Sequence, residues 1–328
     1  MASQPRITTI TDLMNKHVMF GFAAVAALFQ PAALIAGPLQ RADIPAEPAW
    51  VIHLDCDALR ASSIGQFISR ELEKPEAERK LEAFRAMFNF DPRTDMHGVS
   101  VYGLDSKADD GLLVVYADFD AQRLDSLVKG AKEYQSSTHR SHTIHSWIDE
   151  SRKSHDGPVK RRMYGAVAGK RVLFAQQQER LVAALDVVDG FSANMSGTKA
   201  LPSLGTAGNG RFLQAACRKL QVADGNPNAA LARLTQEMRL DVAEVGGMLT
   251  ATMNLIAKDE EVAVHMNSIA QGLLSLMKMQ TDKPERLKLA QNLALKQEGA
   301  ALNGTLSMPT SDFIDLLKAG VAKKISVQ

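Results

Sequence analysis

The stretch VSVYGLDSKADDGLLVVYADFDAQRLDSLVKG, Val99 to Gly130, reads as strand, tight connection, strand, then helix. Leu113, Val115 and Ala117 alternate with Leu112, Val114 and Tyr116, and a run apolar on both faces fits a central strand. Asp109, Asp110 and Gly111 before it are turn chemistry, because Asp and Gly tolerate positive φ. Asp120 stands where an N-cap belongs, its carboxylate facing the free amides of a first helical turn. Leu124, Leu127 and Val128 follow at helical spacing, and Gly130 suits a C′ position.

The same order recurs in MRLDVAEVGGMLTATMNLIAKDEEVAVHMNSIAQG, Met238 to Gly272. There Leu249, Ala251, Met253 and Leu255 share one face, with Thr250, Thr252 and Asn254 opposite: a half-buried strand. Asp259 stands near the start of the next helix, on which Val262, Met266, Ile269, Leu273 and Leu276 step by 4, 3, 4 and 3 as its apolar face. Met266, Met277 and Met279 fit core filling, with a greasy groove as the alternative.

Outward from these two units, residues 49–190 and 211–328 read alike, as strand, helix, strand, strand, helix, strands, helix. AWVIHLDCDAL (Ala49–Leu59) aligns without gaps over GRFLQAACRKL (Gly210–Leu220), a pattern match that points to structural duplication. Further strands are expected at Ser141–Asp149, Met163–Ala168 and Arg171–Gln176, with a helix near Asn228–Gln236. Residues 37–48, with three prolines, form an extended lead-in. Residues 191–210, rich in Gly, Ser and Ala, form the linker. Antiparallel hairpins with helices between them give an α+β fold: two similar units of antiparallel sheet with helices packed on one face. A Rossmann fold is excluded, since no glycine-rich phosphate loop follows any strand.

Residues 1–36 are expected to be a signal peptide. Val18–Ile35 is largely apolar, follows Lys16 and His17, and exits at Ala36 and Gly37. Its uninterrupted core, Met19–Phe29, is shorter than the ~20 apolar residues of a membrane span. Cleavage after Ala36 leaves no stable membrane span and places the chain in the periplasm or cell envelope. The alternative start is Met14. Among the 328 residues, 45% are hydrophobic and 23% charged, and the net charge is +1. That near-neutral balance gives no electrostatic case for a nucleic-acid partner. The only cysteines, Cys56 and Cys217, fall at matching places in the two aligned strands. Export permits a bridge, but two lone strand cysteines read as separate free, buried thiols.

Two clusters carry what chemistry the chain offers. His53, Asp55 and Asp57 alternate along the first strand, a pattern a metal site uses. No second ligand cluster completes it, so a satisfied His and a capped strand end are the expectation. Ser137–Arg162 packs His139, His142, His145 and His155 with six basic residues, and a long loop is expected at Glu150–Lys160. On a strand, His145 and Trp147 share one face and His142 the other. His145, Trp147, Arg161 and Arg162 are the candidate binding residues; no cofactor is implied. GxSxG, HExxH, CxxC and Walker-type loops are absent.

The stretches WVIHLDCDALRASSIGQFI (Trp50–Ile68), FNFDPRTDMHGVSVYG (Phe88–Gly103) and HTIHSWIDE (His142–Glu150) resemble a family of uncharacterised exported proteins of planctomycete- and verrucomicrobium-type bacteria. The resemblance implies export and a shared fold, and assigns no activity to any residue. The expectation is therefore an exported envelope protein serving as a non-catalytic binding or scaffold module, its partner an envelope protein or an apolar ligand. The alternative is a metal-dependent or other hydrolase using the His53/Asp55 or the His142/His145 region.

Overall fold

The computed structural model describes residues 37–105, 110–154, 157–198, 200–201, 204, 210–218, 233–280 and 284–325. The expected signal peptide, residues 1–36, lies outside them. In chain order the elements of the first half are β1 (Trp50–Asp55), α1 (Cys56–Ala61), α2 (Ser63–Leu72), α3 (Pro75–Phe88), α4 (Pro92–Asp95), β2 (Met96–Gly103), β3 (Leu112–Ala117), α5 (Ala121–Val128), β4 (Gln135–His139), β5 (His142–Ser154), β6 (Gly157–Ala168), β7 (Arg171–Ala175) and α6 (Gln178–Val188). The second half holds β8 (Arg211–Arg218), β9 (Thr235–Val245), β10 (Met248–Ala257), α7 (Glu260–Met279), α8 (Pro284–Gln291), β11 (Leu293–Glu298), β12 (Ala301–Pro309) and α9 (Thr310–Ile325).

The fold is α+β, and its two units share one sheet. Among the described residues twelve strands pair in the order β11-β12-β10-β9-β8-β1-β2-β3-β7-β6-β5-β4. Every pairing is antiparallel, including β1 with β8, where the halves join. His53 pairs with Gln214 at that seam, and the sequence alignment places the same two residues over one another. Antiparallel pairing of equivalent residues defines a local two-fold axis between them. Cys56 and Cys217 lie three residues beyond this axis in opposite directions, on the order of 20 Å apart. Bridging needs Cα atoms within about 7 Å, and both thiols are free: Cys56 buried, as expected, and Cys217 only half-buried.

Both units of the opening reading form as hairpin plus helix. Asp120 accepts from Arg123 N at 3.0 Å and Asp259 from Val262 N at 2.9 Å, each capping its helix. The sheet's two faces differ. On the lower face, Leu54, Val99, Leu213, Val242 and Leu249 pack with Leu59 and Ile64 of the α1-α2 pair and with Phe313 and Ile314 of α9. Farther along that face, Leu255 and Leu302 meet Val262, Ala263 and Met266 of α7. On the upper face of the first half, Val51, Tyr102, Val114 and Leu173 pack against Leu181, Ala184 and Leu185 of α6.

Three expectations are corrected. The lead-in 37–48 is part of the folded core rather than a segment preceding it, because it lies on the upper face with Leu39 and Ile44 buried there. The stretch 191–210, expected to be a linker, contributes Met195, Leu201 and Leu204 to that same core. The Arg41 guanidinium ties the two segments, donating to the carbonyls of Leu201 and Leu204 and of Met195, Thr198 and Ala200 at 2.9–3.5 Å. The expected loop Glu150–Lys160 is a strand ladder running out to the Ser154–Gly157 pair. Of the helix expected near Asn228–Gln236, residues 228–232 lie outside the described ones, Arg233 is helical, and β9 begins at Thr235.

Candidate functional site

His53 is 2% exposed on the upper face of β1. Its Nε2–H donates to the Gly37 carbonyl at 2.8 Å, which leaves Nδ1 to accept from the Ser100 hydroxyl at 2.9 Å. Burial pushes its pKa down to about 4, so it stays neutral at ordinary pH. Asp55, on the same face, spends its carboxylate on the Ala58 amide as the N-cap of α1. With both nitrogens of His53 engaged and Asp55 capping, neither group is aimed at a cleft. Among the described residues no three His, Cys, Asp or Glu side chains gather as a metal site.

Asp57, in the first turn of α1, enters a polar chain that sequence spacing does not reveal. It pairs with Arg60 at 3.0 Å and with His97 Nδ1 at 3.1 Å. His97 Nε2 reaches Asp118 at 3.1 Å, and Asp118 holds Lys170 at 2.6 Å. Burial holds Asp57 above the usual carboxylate range, while the hydrogen bonds from Lys170 and His97 hold Asp118 below it. Beside this chain lies a cleft of about 340 Å³ lined by Asn89, Asp118, Asp120 and Lys170 among others. It is polar, and every charge of the chain already has a partner.

His155 of the second cluster lies outside the described residues, and the other three histidines are dispersed as their strand positions predict. His142 reaches the Val167 carbonyl at 3.1 Å and Asp189 at 2.9 Å; His139 meets Asp186 at 2.9 Å. Arg140 also pairs with Asp186 and lies over the Phe191 ring. All three staple the β4-β5 hairpin to the end of α6 and its following turn. His145 lies on the opposite face, hydrogen-bonded to Tyr134 at 3.0 Å and 3.7 Å from Asp125 of α5. Burial lowers its pKa.

Of the candidate binding residues, His145 and Trp147 are buried, with Trp147 edge-on to Phe174. Arg161, on their face, pairs with Asp149; Arg162, on the other, pairs with Glu133. These four therefore form part of the packed sheet rather than one accessible patch.

The accessible apolar surface is elsewhere. On α7 the sheet side takes Ala263, Met266 and Leu274. Ile269 at 60%, Leu273 at 58% and Leu276 at 58% face outward, joined by Val264 and Met279. The sequence reads Val262, Met266, Ile269, Leu273 and Leu276 as one apolar face, but the sheet buries Met266 with Ala263 and Leu274 and leaves Ile269, Leu273 and Leu276 exposed. Contiguous exposed apolar residues on a helix mark an interaction surface.

No family model and no curated protein matches the chain. Among solved structures it is similar to crystal form III of TP0453, at 10% identity and a TM-score of 0.44 over 88% of this chain and 100% of that one. Crystal form IV of TP0453 gives 10% identity and a TM-score of 0.44 over 85% and 96%.

Proposed function

We propose that this chain is an exported bacterial protein of the periplasm or cell envelope, and that it acts as a non-catalytic binding module. The observation that supports the reading is the outward face of α7, where Ile269, Leu273 and Leu276 stand more than half exposed in one stripe. A partner with a complementary apolar surface, an envelope protein or an apolar ligand, would remove that stripe from water at roughly 25 cal/mol per Å². Among the described residues, His53 and His142 have both ring nitrogens tied within the fold, to Ser100, Gly37, Val167 and Asp189, and His145 holds Tyr134, which favours the binding reading over the hydrolase one. No helix among the described residues is long and apolar enough to cross a membrane.

The test is capture from native envelope fractions by the purified wild type and by L273E/L276E. The wild type is expected to retain a component that the double variant loses, at equal thermal stability. Equal capture by both proteins removes the α7 face from the proposal. A stoichiometric metal in the purified protein, with activity lost in His53→Ala, replaces it with the hydrolase reading.

A further inference from the structure

Gly37, the first of the described residues, is gripped on three sides. Its carbonyl accepts from the buried His53 Nε2 at 2.8 Å. Its backbone N–H donates to the Asp57 carboxylate. A Cβ built on it would lie 2.0 Å from the His97 carbonyl oxygen, so the cradle admits glycine and no other residue. The groups around it explain what the cradle suits.

Three carboxylates stand here: Asp55 and Asp57 at the start of α1, and Asp118 after β3. Two permanent cations answer them, Arg60 on Asp57 and Lys170 on Asp118. His53 faces Gly37 from β1, and His97 bridges Asp57 and Asp118 from β2. The three carboxylates thus share two permanent cations and the imidazole of His97, which lies between two of them. Burial also lifts Asp55 and Asp57 above the usual carboxylate range, a cost that one more cation would relieve.

The bond entering this cradle is Ala36–Gly37, at the small-residue exit of the apolar stretch Val18–Ile35. We propose that hydrolysis of this bond produces the mature N-terminus in place, and that the new Gly37 α-ammonium is bound by the Asp57 carboxylate. The inference rests on the export reading, which supplies the endopeptidase of the export machinery. In that step water adds across the Ala36–Gly37 peptide bond. The C–N bond breaks, the water oxygen stays on Ala36 as a carboxylate, and the nitrogen leaves on Gly37 as an amine. Below its pKa the amine takes up a proton. The neutral N–H that donates to Asp57 thereby becomes one donor of an ammonium, and a charge-assisted hydrogen bond is about twice as strong as a neutral one. Position matters as well, since cutting one residue away displaces the ammonium by about 3.8 Å.

The experiment expresses the full chain with its own leader in an exporting bacterium and reads the product by intact mass. Its amines are then reductively methylated with ¹³C-formaldehyde, and the α-dimethylamine resonance is followed against pH by NMR. The expected product begins at Gly37, and its α-amine titrates at least about one pH unit above the ordinary 7.7–8.0. In Asp57→Asn the titration returns to the ordinary range; if that variant does not fold, wild type in urea supplies the reference. A Gly37 product titrating in the ordinary range overturns the docking while leaving export standing. A product that keeps Met1 or Met14 overturns processing at this bond. The docking is then read on protein cut before Gly37 by an inserted site-specific protease sequence, where an ordinary titration overturns it too.

Discussion

Set side by side, β1-β2-β3-β7-β6 and β8-β9-β10-β12-β11 follow the same order from the central seam outward. Yet the helix that ends each half lies on opposite faces of the sheet. The reason is in the strands. On the upper face of the first half Leu112, Val114, Leu173 and Ala175 are buried and apolar, and α6 covers them. The equivalent face of the second half presents Thr250, Thr252 and Asn254 beside Asn303, Thr305 and Ser307. Asn254 donates to Asn303 there at 2.6 Å. A terminal helix gains nothing by covering amides and hydroxyls, so α9 packs below, with Phe313 and Ile314 near Leu249. The comparison teaches that strand order and helix side are set separately: order by hairpin connections, side by which alternate positions are apolar.

The largest effect should come from breaking the covered face. Leu185 of α6 is fully buried, whereas Leu317 of α9 is 37% exposed. Leu185→Ala is expected to cost roughly 2–5 kcal/mol in urea unfolding, by lost transfer energy and the cavity left behind. Leu317→Ala should cost clearly less. Equal losses would mean that the two terminal helices are equivalent covers, against the reading above.

The seam offers a second way to sharpen the comparison, because His53 and Gln214 occupy equivalent places beside the local axis. The folded pKa of His53, about 4, lies below the unfolded value near 6.5. Its stabilising contribution is therefore complete above pH 6.5 and is lost as pH falls toward 4. A shift of that size corresponds to roughly 3 kcal/mol. Asp55 and Asp57, raised by burial, act in the opposite sense: the stability they contribute is lost as pH rises through their folded pKa values. His53→Gln, which makes the axis pair identical, should remove the histidine's acid slope between pH 6.5 and 4 while leaving theirs. An unchanged slope, measured by urea unfolding at each pH, would show that His53 is not the group responsible.

A third perturbation addresses the half that has a lead-in. Arg41 gathers five carbonyls of 195–204, and hydrogen bonds to charged groups contribute about 1.5–3 kcal/mol. Arg41→Ala should destabilise by roughly 2–3 kcal/mol, and hydrogen exchange should quicken first at Met195 N–H, which bonds the Ile44 carbonyl. Exchange quickening instead in β9 or β10 would contradict a tie local to the first half.

Much of this fold was legible in the chain, for identifiable reasons. An apolar run placed β3, alternation placed β10, and single acidic residues placed the caps at Asp120 and Asp259. The edge strand β4 escaped because Gln135–His139 is polar and mostly exposed, so no alternation marks it. The packing of 37–48 on 191–210 escaped because it runs largely through backbone carbonyls, which every residue possesses. The chain Arg60, Asp57, His97, Asp118, Lys170 escaped because its members meet across α1, β2 and two turns, at separations no motif encodes. His145 and Trp147 were read correctly as sharing a strand face. That such a face would be covered depends on Tyr134 and α5, which spacing along β5 does not report.

The smallest expected change is the one that isolates the proposed binding face. Ile269, Leu273 and Leu276 stand exposed on the helix whose Met266 and Leu274 are buried against the sheet. If the outward stripe serves a partner and not the fold, Leu273→Gln should alter stability by no more than about 0.5 kcal/mol, as surface substitutions do. Met266→Ala, on the inner face of the same helix, should cost roughly 2–5 kcal/mol. Helix propensity does not confound the pair, since Leu, Met, Gln and Ala all lie near the favourable end of the scale. Urea unfolding of the two variants reads the contrast directly. A loss at Leu273 approaching that at Met266 would place the stripe in the stability of the fold, and the exposed face of α7 would no longer be free for a partner.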